Sequence, residues 1–174
     1  MNILTTLTAP LSTARTIAGT GAQPWRLWFG LAAIAIFGSL LVGASIGLVT
    51  GSALSGHAIW FTASAGISWC IFGPALKLAT RLGWLFLAHA CLVAMAHGEL
   101  VLALATITNT TIHLADLTPT LAPTAAIVLA ANLTMAASLA LQLRTAGAPL
   151  WLTLALWFLL LDGAGAALFY FLAP

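Results

Sequence analysis

Four polar residues lie inside apolar stretches of this sequence, and they are the residues best able to do chemistry there. Glu99 and Asp162 supply carboxyl groups, His97 supplies an imidazole and Asn132 supplies an amide. Ionisable side chains are costly inside a membrane, so each one found there is a candidate functional residue. A carboxyl group near a histidine and an amide is able to hold a proton or a cation. These four residues are therefore our candidates for a proton or ion site.

The same residues also suit a purely structural cluster. Buried polar groups need hydrogen-bond partners whether or not they bind a ligand, so a neutral carboxyl group or a histidine–carboxylate pair could tie helices together. His97 and Glu99 are two residues apart and would point to nearly opposite sides of a helix. Only one of them could then face a given neighbour, and both interpretations stay open at this point.

Other chemistry has less support in the sequence. It contains no nucleophile elbow, no metalloprotease helix motif, no phosphate-binding loop and no dinucleotide-binding turn. Zinc ligation by His57 and His113 with Asp116 lacks closely spaced ligands. No two histidines match in depth within the apolar stretches, which disfavours a haem between two histidines, while ligation of a pigment by one histidine stays open. We expect no catalytic site, no bound metal and no cofactor, and we rank an intramembrane enzyme third.

The composition indicates what must position these residues. Of 174 residues, 62% are apolar, and the charged ones are five Lys or Arg and three Asp or Glu. Soluble domains carry charge on roughly a quarter of their residues. This composition excludes a soluble enzyme, a nucleic-acid-binding module and a disordered linker. We therefore predict an integral membrane protein whose partner is the lipid bilayer, with no nucleic-acid partner.

The length of the apolar stretches predicts five membrane spans. A spanning helix needs about 20 apolar residues, and breaks are expected at a Gly/Ser-rich turn, at Gly73-Pro74, at a Thr-rich loop over 108–120 and at 145–149. The expected fold is an all-α integral membrane protein, a bundle of five transmembrane helices with a short N-terminal amphipathic helix. Four spans plus a re-entrant segment is the alternative, because the second span is the shortest. The predicted spans cover about residues 28–49, 57–73, 83–107, 121–143 and 150–172.

The basic residues predict the orientation of these spans. With five spans, all five basic residues fall on one face, and the positive-inside rule places that face in the cytoplasm. The N-terminus is then cytoplasmic, and the C-terminus lies outside the cell's inner membrane. The basic residues are Arg15, Arg26, Lys77, Arg81 and Arg144. The tryptophans expected to anchor span ends at the headgroups are Trp25, Trp28, Trp84 and Trp151.

Residues 1–26 are expected to form a cytoplasmic segment before the membrane domain at 27–174. Leucines and alanines step by three and four along it, while threonines and serines occupy the other positions. This spacing, with Pro10 suited to a first helical turn, predicts a short helix over 10–19 that lies on the membrane surface. A frayed polar tail is the alternative.

Small residues recur every four positions on two of the predicted spans. Such stripes let another helix backbone approach closely. We expect them to serve packing within the bundle, or, for one of them, contact with a membrane-protein partner or a second copy of the chain. They are Ser39, Gly43, Gly47 and Gly51 on span one, and Ala126, Ala130, Thr134 and Ser138 on span four.

The order of these features resembles the Yip1 family of five-span membrane proteins. The opening residues 7–17, the Pro24-Trp25-Arg26 entry and the Gly-rich stretch 37–47 are similar to the entry of bacterial members into their first span, with Ala9 where an acidic residue is common. The resemblance implies a membrane scaffold without enzymatic activity and supplies no site residues. Our leading hypothesis is a scaffold, or a subunit of a membrane complex, that acts through helix–helix contacts. The alternative is a small proton- or ion-coupled transporter.

Overall fold

The described part of the chain is helical throughout. The computed structural model describes residues 2–20, 25–50, 54–116 and 121–163, and within these ranges it contains helices and no strands. The predicted all-α fold is confirmed. The helices are α1 (Ile3–Thr8), α2 (Pro10–Thr20), α3 (Trp25–Thr50), α4 (Leu54–Thr80), α5 (Trp84–Asp116), α6 (Leu121–Thr145) and α7 (Leu150–Leu156), which continues as a π-helical segment (Trp157–Asp162).

Two helical stretches in the described residues are long and apolar enough to cross a membrane. They are Trp25–Ser45 in α3 and Trp84–Thr108 in α5, and a shorter apolar stretch covers Leu150–Leu160. A core helix of a soluble protein can pass the same test, but it would be mostly buried. Here the buried share of the two stretches is 44% and 39%. Membrane insertion is therefore favoured, whereas the five-span bundle stays a prediction.

Helix α5 lies at the centre of the bundle. It packs along α3 on one side and α6 on the other, and it makes smaller contacts with α1, α2 and α4. Helix α4 packs along α3, and its other neighbours include α7 and the π-helical segment. The candidate residues His97 and Glu99 lie on this central helix, so they face several neighbours at once.

Two predicted helix boundaries are wrong because the helices run further. Helix α4 continues past Gly73-Pro74 to Thr80, since a proline removes only one backbone hydrogen bond and the rest of the ladder remains. Helix α5 continues through the predicted Thr-rich loop to Asp116. The Thr108 hydroxyl donates to the Leu104 carbonyl, 2.9 Å away, so this polar side chain is compatible with a helix. The last predicted span is described only as far as residue 163.

The N-terminal segment forms two helices that pack against the bundle. Helix α2 confirms the predicted helix, with Pro10 as its first residue, whereas α1 was not predicted. Both contact α5, with α1 also touching α3 and α2 touching α6. The predicted division into an apolar and a polar face is wrong in α1, because Thr6 is fully buried and Leu4 is 72% exposed. The Thr6 hydroxyl donates to the Asn2 carbonyl. Because its hydroxyl group is satisfied in this way, the threonine side chain can be buried like an apolar one.

Two short connections place residues in the left-handed region of backbone space. After α4, Arg81 has φ 58°, and after α6, Gly147 has φ 86°. Around Gly147, the N–H of Ala148 donates to the Leu143 carbonyl and the N–H of Gly147 to the Arg144 carbonyl. These two bonds are those of a Schellman motif, which closes a helix and usually requires glycine. Helices α4 and α5 are thus joined by three residues, and α6 and α7 by four.

Candidate functional site

The four candidate residues occupy three separate places in the bundle. Glu99 lies between α5 and α3, and His97 lies where α5 meets α6 and α1. Asn132 and Asp162 lie together between α6 and the π-helical segment. Within the part of the chain that the structure describes, no hydrogen bond joins one of these places to another. The structure thus pairs two of the four residues and separates the rest.

Glu99 is held against α3 by a single hydrogen bond. The Ser39 hydroxyl donates to Glu99 Oε1 at 2.8 Å, and the side chain is 6% exposed. The other oxygen, Oε2, is buried and has no hydrogen-bond partner among the described residues. Gly38 makes this approach possible, because a Cβ atom there would lie 2.8 Å from both Cβ and Oε2 of Glu99. The contact therefore depends on a serine and a glycine that are adjacent in α3.

His97 connects three helices through both of its ring nitrogens. Nε2 lies 2.8 Å from the Leu7 carbonyl oxygen, and Nδ1 lies 2.8 Å from the Ser138 hydroxyl. A carbonyl oxygen only accepts, so Nε2 must carry the proton in this arrangement. The neutral tautomer then accepts at Nδ1 from Ser138, whose oxygen accepts in turn from Gln142 Nε2 at 3.3 Å. The chain of bonds ties α1 to α5 and α5 to α6.

Asn132 binds two side chains of the π-helical segment at once. Its Nδ2 donates to Asp162 Oδ1, and its Oδ1 accepts from Trp157 Nε1, both at 2.5 Å. In an α-helix, residues five apart point about 140° away from each other, at roughly 100° per residue. A π-helix bonds residue i to residue i+5 and brings them to nearly the same face. The wider turn is therefore what lets Trp157 and Asp162 share one asparagine.

Trp157 was missed by the sequence reasoning. It is fully buried and makes edge-to-face contacts with Trp69 and Phe72 of α4, with ring centroids 5.6 and 5.7 Å apart. Aromatic contacts of this kind add to the burial of apolar area. The residue joins α4 and α6 to the end of α7. An aromatic residue five positions before Asp162 was visible in the sequence, but nothing there signalled a π-helical turn.

Trp28 and His89 form a further polar contact that the sequence did not reveal. Trp28 Nε1 donates to His89 Nδ1 at 3.3 Å, and the two side chains are 7% and 0% exposed. The prediction that Trp28 anchors a span end at the headgroups is therefore wrong, because the indole faces α5. Trp25, Trp84 and Trp151 are all more than half exposed, as anchoring residues would be. His89 Nε2 is buried and has no partner in the described part of the chain.

The two stripes of small residues differ in their surroundings. On α3, Ser39, Gly43 and Gly47 are buried within the bundle, and Gly51 lies outside the described residues. The α6 stripe is more open. There Ala126 and Ala130 are exposed, and Thr134 and Ser138 are half-buried. The first stripe therefore packs inside this chain, while the outer part of the second faces away from it.

No group of three or more His, Cys, Asp or Glu side chains in the described residues could hold a metal ion. The side chains of His57, His113 and Asp116 lie outside the described part of the chain. Both cysteines are free, and Cys70 is exposed. Comparison with protein-family models, with curated proteins and with solved structures finds no match to this chain. The Yip1-like resemblance therefore stays a prediction.

Proposed function

We propose that this protein is a five-span membrane protein without enzymatic activity that acts through helix–helix contacts, as a scaffold or as a subunit of a membrane complex. The protein would lie in the cell's inner membrane, with its N-terminus in the cytoplasm and its C-terminus on the outer side. The Yip1-like resemblance also implies a five-span membrane scaffold without enzymatic activity. The proposal rests on two features. The first is the apolar surface of the bundle, and the second is that its polar residues form hydrogen bonds between helices.

The surface of the bundle supports membrane insertion of more than the two most apolar helices. Large apolar side chains are exposed along every long helix, and a soluble monomer rarely exposes contiguous apolar surface of this extent. Lipid tails would cover such a surface at no cost. Examples are Phe29, Phe37, Ile59, Ile67, Ile71, Leu100, Leu104, Leu129, Leu133, Leu141, Trp151 and Leu159.

The observation that supports a structural role is that each candidate polar residue bonds to a helix other than its own. Interhelical hydrogen bonds of this kind hold membrane helices together. A transport site would instead need several of these groups to converge on one ligand. The described side chains converge only at Asn132 and Asp162. The arrangement therefore fits a rigid bundle better than a site for a transported ion.

A small proton- or ion-coupled transporter remains the second candidate, and one observation favours it. Glu99 Oε2 is a buried oxygen atom without a partner in the described residues. Buried groups of this kind require an explanation, and a bound proton, water or ion is one. Loss of pH-dependent uptake in an Asp162→Asn or Glu99→Gln variant that still folds would support this candidate.

Site-specific photocrosslinking in the native membrane tests the proposed function. A photoreactive residue at Ala130, on the open part of the α6 stripe, should crosslink to one discrete membrane protein or to a second copy. The matched control is the same photoreactive residue at Phe37 on α3, another exposed apolar position, which is 67% exposed. The scaffold proposal fails if neither position gives a discrete product while the pure protein drives pH-dependent uptake into liposomes.

A further inference from the structure

An open groove runs between the start of α2 and the middle of α6. Its volume is about 500 Å³, and its lining residues are Pro10, His97, Leu133, Thr134, Ala137 and Ser138. Leu133 and Ala137 are both exposed at its edge. The groove opens sideways from the bundle, where lipid would lie if α6 crosses a membrane. It adjoins the contact between His97 and Ser138, because both of these residues line it.

The polar atoms that line this groove are already engaged by the protein. Both ring nitrogens of His97 are bonded, Ser138 is bonded to His97, and the Thr134 hydroxyl donates to the Ala130 carbonyl at 2.8 Å. Each N–H and O–H donor among these side chains is therefore used within the protein. The exposed edge is made of leucine and alanine, so the groove fits an apolar chain.

Two arginines lie further along the same two helices that form this groove, Arg15 on α2 and Arg144 on α6. Helices α2 and α6 run in the same direction there, since Pro10 lies beside Ser138 and Ala14 is buried in the same cluster as Leu143. Arg15 is five residues beyond Pro10, or ~7.5 Å along its helix at 1.5 Å per residue. Arg144 is six residues beyond Ser138, or ~9 Å. The two residues therefore lie at about the same level along the bundle.

Charge complementarity identifies what would bind between them. Arg15 and Arg144 are exposed, and no ion pair to either is found in the described part of the chain. Leu141, exposed on the same face of α6, connects the arginine end to the apolar groove. Two cations next to an apolar channel match a phosphate group attached to a hydrocarbon chain. Arginine is well suited to phosphate because its planar fork donates two parallel hydrogen bonds.

We propose that this groove binds an anionic phospholipid of the surrounding bilayer. The phosphate lies between Arg15 and Arg144, and one acyl chain runs past Leu141 and Ala137 towards Pro10. The lipid would fill the space between α2 and α6 and so fasten the N-terminal helices to the bundle. This inference rests on the membrane insertion in the proposed function, but not on a scaffold role.

Native mass spectrometry of the detergent-solubilised chain tests the proposal, with phosphatidylglycerol as the anionic probe and phosphatidylcholine as the neutral one. We expect one phosphatidylglycerol to be retained in preference to phosphatidylcholine. Each basic residue contributes about fivefold to binding an anionic surface, so the double variant Arg15→Gln/Arg144→Gln should lose about 25-fold in affinity. The control Arg81→Gln, which removes an exposed arginine elsewhere, should leave retention unchanged. Ala137→Trp, at an exposed position, should fill the groove and displace the lipid.

Several outcomes would overturn the lipid site. Equal retention of the two lipids, or an equal loss in Arg81→Gln, would show that the arginines attract anions without forming a site. A dimer mass that Ala137→Trp abolishes, without an effect on lipid, would make the groove an interface between two copies. Extraction of the chain from cell membranes by carbonate, without detergent, would instead contradict the proposed membrane insertion, so that failure is recognised before any lipid is added.

Discussion

At the scale of single residues, Asn132 is a polar side chain whose loss should destabilise the bundle. It accepts from Trp157 and donates to Asp162, so Asn132→Leu leaves both partners without their hydrogen bond. Interhelical hydrogen bonds in membrane proteins contribute about 0.6 kcal/mol on average and about 1.7 kcal/mol at most, so losing two of them should lower the unfolding free energy by about 1–2 kcal/mol. Thermal unfolding in detergent measures this change. Thr134→Val on the same helix is the control, because its hydroxyl bonds only within α6. Equal losses in the two variants would contradict the prediction.

His97 offers a test that separates its two contacts. An asparagine side chain places a polar atom near the position of Nδ1, and a glutamine side chain places one near Nε2. His97→Gln should therefore keep the bond to the Leu7 carbonyl, whereas His97→Asn should keep only the bond to Ser138. We expect limited proteolysis to cut residues 2–20 several times faster in His97→Asn than in His97→Gln. Identical rates in the two variants would mean that this bond does not hold α1.

The sequence placed these residues within apolar stretches but did not show which neighbour each one faces. Asn132 and Asp162 were separate candidates, and the structure pairs them. Which side of a helix faces which neighbour depends on packing, and the sequence did not provide this information for His97 or Glu99. Nor did it show that Trp157 bonds to Asn132 or that His89 bonds to Trp28, because a contact between distant helices leaves no local pattern in the sequence. The sequence thus identified the candidate residues individually, but it did not show which of them are in contact.

At the scale of helices, two glycines set the distances between α5 and its neighbours. A Cβ atom at Gly38 would collide with Glu99, and one at Gly98 would collide with Met135 of α6. Overpacking of this kind costs about 1–3 kcal/mol, so Gly38→Ala and Gly98→Ala should each lower the unfolding free energy by that amount. Gly66→Ala is the control, because nothing lies within 4 Å of its Cβ position. That variant should be neutral or stabilise α4 by up to about 1 kcal/mol, since alanine favours helix. The same unfolding assay decides between these outcomes.

The two connections with positive φ should respond to mutation in opposite directions. Arg81 adopts a conformation that disfavours side chains with a Cβ, so Arg81→Gly should stabilise the fold by about 0.5–1 kcal/mol. Gly147 adopts a similar conformation in a Schellman motif, so Gly147→Ala should destabilise it by about 1 kcal/mol. A rise in the midpoint of thermal unfolding for Gly147→Ala would contradict this account of the α6–α7 connection.

Helix existence was easier to predict than helix boundaries, and the reason lies in the side chains at the boundaries. Proline and threonine are usual signs of a break, but Pro74 lies within α4 and the Thr108 hydroxyl bonds the carbonyl of its own helix. The same bonding hides the polarity of Thr6 and lets it face the bundle. The polar face predicted for the N-terminal segment was wrong for this reason. In an apolar protein, hydroxyl groups satisfied by the backbone behave as apolar surface.

At the scale of the whole molecule, the number of spans decides which ends of the helices share a face. Five spans with a cytoplasmic N-terminus place the connections after α4 and α6 in the cytoplasm and the end of α5 outside. If only α3 and α5 cross the membrane, the end of α4 lies outside and everything after α5 lies in the cytoplasm. The exposed apolar residues Ile67 on α4 and Leu133 on α6 favour five, because a helix outside the membrane would leave them in water.

Reporter fusions after residues 80, 116, 147 and 174 distinguish these two topologies. An enzyme reporter active only outside the cytoplasm should be inactive, active, inactive and active in that order if there are five spans. With two spans, the order becomes active and then inactive at the three later sites. A fluorescent reporter that folds only in the cytoplasm, fused at the same sites, is the control and should give the opposite pattern. The pair at 80 and 116 is decisive, because the two topologies predict opposite results there, and Lys77 and Arg81 should hold site 80 in the cytoplasm.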